Sequence, residues 1–121
     1  MGSVKVRGIR GATTVKENQY REIHQATEEL VREMVQENEI EPEEVAAAFF
    51  TVTSDLNDAF PAQAARDMGW RLVPMMCSVE IEVPGSLSRC VRVLLLVNTS
   101  KEQKEIKHVY LKEAKRLRSD L

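Results

Sequence analysis

The stretch CVRVLLLVN, residues 90–98, is the most informative part of this chain. Its leucines and β-branched residues form the nearly unbroken apolar run of a strand that is covered on both faces. Because side chains alternate along a strand, Arg92 shares a face with Cys90, Leu94 and Leu96. Arginine keeps its charge and is seldom buried alone. Either an anionic group meets Arg92, or the strand lies at an edge and its guanidinium reaches water.

The composition indicates one domain spanning residues 1–121. Lysine and arginine number 17 against 19 acidic residues, so no basic excess favours a nucleic-acid partner. The apolar runs are too short to cross a membrane and the N-terminus lacks the apolar core of a signal peptide, so we expect a cytoplasmic protein. Two cysteines and two histidines stand at no ligand spacing, and we expect no metal.

Hydrophobic periodicity predicts an α/β (α+β) domain around this strand. The next predicted elements are a strand over 4–11 whose glycines allow close approach or a sharp exit, and an amphipathic helix over 18–37 capped by Asn38. They are followed by one helical turn from Ala46 leading into a strand that ends at Thr53, a short helix over 60–68, a strand within 70–83 and a last strand over 106–112. The first helix and its flanking strands are expected to form a β-α-β unit.

Several arginines occur on predicted strands or at their ends, with a tyrosine and a glutamate that could join them. Guanidinium groups bind carboxylates through two parallel hydrogen bonds and stabilise negative charge developing on an oxygen. Taken alone, Arg10 is better explained as a charged strand end, and Arg66 as an exposed helix position. The residues by themselves therefore indicate a compact α/β domain that could bind a small polycarboxylate, and no further.

Five segments of the sequence resemble those of a known protein family. RGIRGATTV (7–15), DLNDAFPAQAAR (55–66), GWRLVPMMCSVEIEV (69–83), CVRVLLLV (90–97) and HVYLKEAKRLRSDL (108–121) occur in the order and at the spacing of the AroH-class, Bacillus-type monofunctional chorismate mutases. The resemblance implies a mixed sheet with two main helices and a homotrimeric pseudo-α/β-barrel whose active sites lie between subunits. It also implies the cofactor-free Claisen rearrangement of chorismate to prephenate in aromatic amino acid biosynthesis.

The same resemblance assigns roles to individual residues. Arg92 resembles the arginine that donates to the ether oxygen as its bond breaks. Arg10 is similar to the residue that grips a substrate carboxylate, and Tyr110 to its hydrogen-bonding neighbour. Glu80 and Cys77 resemble the pair around the ring and its hydroxyl. Strict alternation, however, places Cys77 and Glu80 on opposite faces of a strand, so the family geometry requires an irregular backbone there.

The outer parts of the implied site are apolar walls and cations. Phe60, Ala62 and Leu117 resemble the wall, and Arg66 and Arg118 the cations of the entrance and tail. Met76 belongs to the implied substrate-binding set although the family pattern has a threonine there. Gln63 replaces a lysine of that pattern, which weakens an entrance role for this position.

Two rival functions remain open at this point. An imine deaminase on the same trimeric architecture also uses an interfacial arginine, but it gives no reason for Glu80 and Tyr110. A trimeric module that binds an aromatic or carboxylate metabolite without catalysis is the second rival. Disappearance of chorismate in the presence of the protein distinguishes the enzyme from both.

Overall fold

The computed structural model describes residues 3–117, so Arg118 lies outside the described residues. The chain forms five strands and two α-helices, with three short 3₁₀ turns at Pro42–Glu44, Gln103–Glu105 and Lys112–Arg116. In chain order the strands and α-helices are β1 (Lys5–Thr14), α1 (Tyr20–Asn38), β2 (Val45–Val52), α2 (Ala62–Asp67), β3 (Met75–Val79), β4 (Cys90–Thr99) and β5 (Val109–Tyr110). This mixed sheet with two helices confirms the predicted α+β class.

The strand built from CVRVLLLVN is the centre of the sheet, whose order is β3-β2-β4-β1-β5. β4 runs antiparallel to both β1 and β2, while β5 is parallel to β1 and β3 is parallel to β2. The predicted β-α-β unit therefore exists, but β4 separates its two parallel strands. A central position also excludes the edge-strand alternative for Arg92.

Helix α1 packs on one face of the sheet through an apolar stripe that includes Ile23, Leu30 and Met34, all fully buried. Gly11 of β1 makes this contact possible: a Cβ there would lie 2.4 Å from the sulfur of Met34 and 3.1 Å from a methyl of Leu30. Any side chain at Gly11 would push the helix off the sheet, so the close approach expected from the glycines of β1 occurs here.

The sheet is covered unequally on its two faces. Val91, Val93, Leu95 and Val97 are buried beneath the helices, whereas Leu94 and Leu96 on the other side are half-buried. The expectation that both faces of this strand are covered is wrong for a single chain. On that second side, residues 3–117 seal one end of the sheet through the packing of Ala114 against Ala12 and Cys90. The remainder, which we term the open face, carries Val6, Phe49, Met76, Leu94 and Leu96.

Four predicted elements differ from those observed. The helical turn lies at Pro42–Glu44, where the Glu41 and Glu44 side chains each accept a backbone N–H of the other. Strand β2 begins directly after it at Val45, with a register irregularity at Ala46. β1 continues past Gly11 because its ladder with β4 runs to Thr14. β3 ends at Val79 and β5 has only two residues, so both outer strands are shorter than their alternating patterns indicated.

Within residues 3–117, no helix combines the length and apolar character needed to span a membrane. The same residues contain no group of three or more histidine, cysteine or acidic side chains arranged to hold a metal ion.

Candidate active site

Arg92 projects from the centre of the open side of the sheet, flanked by Ala12 on β1 and Thr51 on β2. Its Nε lies 3.7 Å from an Oε2 oxygen of Glu80, the only carboxylate within 4 Å of Arg92 among residues 3–117. The Thr51 hydroxyl donates a hydrogen bond to the same oxygen of Glu80. A protein carboxylate thus meets the strand arginine, but at a distance that leaves room for a second anion at the guanidinium.

Arg10 and Tyr110 come close to Arg92 because β1 lies beside β4 and β5 lies on the far side of β1. Arg10 lies one step further along the exposed side of β1, and Tyr110 pairs with Ala12, which itself pairs with Arg92. Together with Leu117, these three side chains line a cavity of about 100 Å³. The cavity brings together four of the residues that the sequence assigned to the site.

The Tyr110 hydroxyl is buried, and it finds no hydrogen-bond partner in the described part of the chain. A buried hydroxyl without a partner costs about 1–3 kcal/mol, so such groups generally have a ligand or water to complete them. Beside the positive charges of Arg10 and Arg92, the group that best completes this phenol is an anionic oxygen.

Cys90 packs at the base of β4 next to Arg92 and is almost fully buried. Burial raises the pKa of its thiol, and the nearby Arg92 guanidinium opposes that rise only in part. The thiol therefore stays protonated at neutral pH, which suits a packing role and does not suit a nucleophile.

The remaining predicted residues occupy a different part of the protomer. Phe60, which is 75% exposed, and Cys77 line a second cavity of about 530 Å³. Cys77 lies on the helix-covered side, opposite Phe50 of β2, so the alternation that separates it from Glu80 is retained in the structure. Within one chain, the cavity of Arg10 and the cavity of Phe60 are separate.

Three further members of the predicted set lie outside both cavities. Ala62 is 3% exposed and packs in the core, while Arg66 is exposed on α2 and Met76 is exposed on the open face. The sequence analysis missed Thr51, which orients Glu80. The sequence does contain a sign of this role: Thr51 is a polar residue between the buried Phe50 and Val52, so it faces the same side of the sheet as Arg92.

Helix α2 is tied to α1 by a pair of titratable groups. The Nε2 atom of His24 lies 2.7 Å from an Oδ2 oxygen of Asp67, and the amide of Gln63 donates to the other carboxylate oxygen at 2.9 Å. Tyr20 stacks on the His24 ring with centroids 5.5 Å apart. The hydrogen bond from His24, followed by that from Gln63, holds the pKa of Asp67 below its usual value. This contact fixes the helix that carries Gln63 and Arg66.

A pH-dependent stability follows from this contact. Because the folded-state pKa of Asp67 is lowered, its stabilising effect is fully present above the unfolded value of about 3.9 and is lost as the pH falls through the folded pKa. We expect the melting temperature of Asp67→Asn to lie below that of the native protein at pH 5, and the gap to close towards pH 2. Thermal unfolding of both proteins between pH 5 and pH 2 measures this gap in melting temperature. Glu37→Gln, on the exposed side of α1, is the control; a gap that widens in acid would contradict the assignment.

An α+β domain that presents two arginines, a glutamate and a phenol without a partner among residues 3–117 on one side of its sheet has the chemistry of a small-anion site. Comparison with known proteins identifies the family of the chain. A family model for chorismate mutase type I matches residues 6–121. The chain belongs to the type I chorismate mutases, a family of isomerases, which confirms the family that the sequence motifs indicated.

Individual relatives agree along nearly the whole chain. A protein of Thermus thermophilus named "Chorismate mutase AroH" is 56% identical over 117 residues, covering 96% of each chain. A protein of the same name from Bacillus subtilis (strain 168) is 44% identical over 117 residues, covering 96% of this chain and 92% of its own. The solved structure "Chorismate mutase from Clostridium thermocellum Cth-682" is 52% identical, with a TM-score of 0.89 over 90% of this chain and 97% of that one.

Proposed function

We propose that this protein is a single-domain chorismate mutase that converts chorismate to prephenate in the biosynthesis of aromatic amino acids. The observation that carries the assignment beyond the family is the cavity where Arg10 and Arg92 meet the unpaired hydroxyl of Tyr110. Chorismate carries two carboxylates, and its rearrangement is unimolecular. Catalysis then consists of holding the reactive conformer and stabilising the charge that separates in the transition state.

Each residue has a distinct part in this mechanism. Arg10 binds a substrate carboxylate, and Tyr110 donates its free hydroxyl to the same group. Arg92 donates to the ether oxygen as the C–O bond breaks, where a permanent cation is more useful than a titratable base. Glu80 lies 3.7 Å from Arg92 and accepts from the Thr51 hydroxyl, which orients it to receive the hydroxyl of the substrate ring.

The wall and entrance of the site come from the second group of residues. Phe60 and Cys77 supply contacts to the ring from their shared cavity. The other proposed contacts are Ala62, Met76 and Leu117 along the wall and Arg66 and Arg118 at the outer edge. Because Arg10, Arg92, Tyr110 and Leu117 line one cavity of a chain and Phe60 and Cys77 line another, we assign these two sets to neighbouring subunits.

The proposed assembly is a cytoplasmic homotrimer with its active sites between subunits, and neither nucleic acid nor membrane is a partner. The open face supports it, since Met76 is 62% exposed, Val6 57% and Phe49 36%. A contiguous apolar sheet surface of this kind usually marks an interface between proteins. Packing this face against two other copies would bury it and bring the two groups of residues together.

The test is the loss of chorismate absorbance when the purified protein is added at neutral pH, with prephenate identified as the product. We expect rapid loss without any added metal or cofactor. An unchanged absorbance from a protein that elutes as a trimer would support the metabolite-binding module instead, and light scattering establishes the mass. The imine deaminase is not favoured by the family match or by the relatives.

A further inference from the structure

The short ladder between β1 and β5 ends beside Arg10. The paired residues are Gly11 with Val109 and Ala12 with Tyr110, and the N–H of Leu111 donates to the carbonyl of Ala12 at 2.9 Å. Along one strand of a parallel pair the bonding groups recur at every second residue. The next acceptor on this ladder, the one that would meet the backbone N–H of Arg10, is therefore the carbonyl of Lys107.

Asn38 removes that acceptor from the ladder. This fully buried side chain at the end of α1 accepts from the backbone N–H of Lys107 at 2.8 Å and donates to its carbonyl, also at 2.8 Å. It donates in addition to the carbonyl of Met34 at 2.8 Å. The helix end thus holds both backbone groups of Lys107, so β5 begins only at Val109 and the N–H of Arg10 has no backbone acceptor on this side.

The side chain of His108 fills the gap. Its Nδ1 atom accepts the backbone N–H of Arg10 at 3.0 Å, so the ladder is extended by one bond through an imidazole ring. An imidazole nitrogen accepts a hydrogen bond only through an unprotonated lone pair. The proton of the neutral ring therefore resides on Nε2 whenever this bond is present.

We propose that His108 is a positioning residue for the substrate-carboxylate contact of Arg10, an inference that rests on the proposed function. Arg10 lines the cavity that it shares with Arg92 and Tyr110. One side of β1 pairs here with β4, and on the other side the backbone N–H of Arg10 is hydrogen-bonded to the His108 ring. The bond fixes the peptide from which the guanidinium extends. Without this bond the guanidinium binds the substrate carboxylate less tightly, because a two-bond contact between guanidinium and carboxylate depends on their relative geometry.

The structure offers a closely matched pair of variants. Asparagine carries an Oδ1 atom where histidine carries Nδ1, so His108→Asn keeps an acceptor for Arg10. His108→Leu has nearly the shape of asparagine without the acceptor. Both changes remove Nε2 alike, so any other contact of the ring is lost equally and their comparison isolates the bond to Arg10.

We expect His108→Leu to raise KM for chorismate about tenfold, the effect of losing one hydrogen bond, while kcat changes by less than about threefold. His108→Asn should stay within about threefold of the native KM. His108→Ala serves as a second variant without an acceptor in case the leucine form does not fold, and melting temperatures identify that case. An asparagine variant as impaired as the leucine variant, or a native KM in leucine and alanine variants, overturns the proposal.

A second measurement does not depend on activity. Hydrogen exchange of the Arg10 backbone amide, followed by NMR, should be slow in the native protein and in His108→Asn and faster in His108→Leu. If the native protein fails to consume chorismate but this pattern holds, the proposed function has failed and the bond remains. If chorismate is consumed but the Arg10 amide exchanges equally fast in all forms, the positioning role is wrong.

Discussion

Arg92→Ala should lower kcat by two orders of magnitude or more while leaving the fold intact. The substitution removes the cation proposed to face the breaking C–O bond, and losing one such preorganised donor costs roughly 3 kcal/mol or more in the barrier. Arg92→Lys should recover little, because an ammonium group differs from a guanidinium in geometry and hydration. Initial rates of chorismate loss at saturating substrate measure kcat for both variants.

The fold should tolerate this change because Arg92 lies on the exposed side of β4, with 45% of its side chain accessible. Its contact with Glu80 is long and partly exposed, so the stability it contributes is small. Arg32→Ala is the matched control, since Arg32 pairs with Glu28 at 3.0 Å on the surface of α1, away from the sheet. Near-native turnover in a folded Arg92→Ala protein would show that the assigned role is wrong.

The local elements of the fold were predictable because their signals are local. An unbroken apolar run predicted the central strand, and a stripe recurring every three or four residues predicted α1. The glycines of the first strand predicted either close approach or a sharp exit, and the contact of Gly11 with Met34 and Leu30 shows that the first occurs. The family motifs supplied the arrangement of Arg10, Arg92 and Tyr110, which no periodicity contains.

The features that the sequence could not predict depend on contacts between distant parts of the chain. The short length of β5 results from the capture of Lys107 by Asn38, 69 residues away. The pattern predicted Asn38 as a helix cap, but Glu39 adopts the left-handed conformation with φ of 54° and Asn38 turns inward. Likewise, Glu80 meets Arg92 only because β2 lies between β3 and β4 and supplies Thr51 to orient it. The register of the strands across the sheet determines these contacts, and that register cannot be read from a single sequence.

The second large effect is expected from a substitution on the open face. Leu96 lies on β4 opposite Gly8 and Ala47, four residues from Arg92, and is only half-buried in one chain. Leu96→Glu places a carboxylate where it can remain hydrated in a monomer but would be buried in the proposed trimer. A buried unpaired charge costs several kcal/mol per copy. We therefore expect the variant to dissociate and to lose nearly all chorismate mutase activity, since each proposed site needs two chains.

Light scattering and activity measurements on the same samples distinguish dissociation of the trimer from simple unfolding. The Leu96→Glu monomer should keep the circular dichroism of the mixed sheet, and its residual activity should rise with protein concentration as mass action restores the trimer. Leu72→Glu makes the same chemical change at a side chain that is 96% exposed in the segment between α2 and β3, and it should stay trimeric and active. A folded Leu96→Glu monomer with full activity would place the complete active site within one chain and contradict the interfacial arrangement.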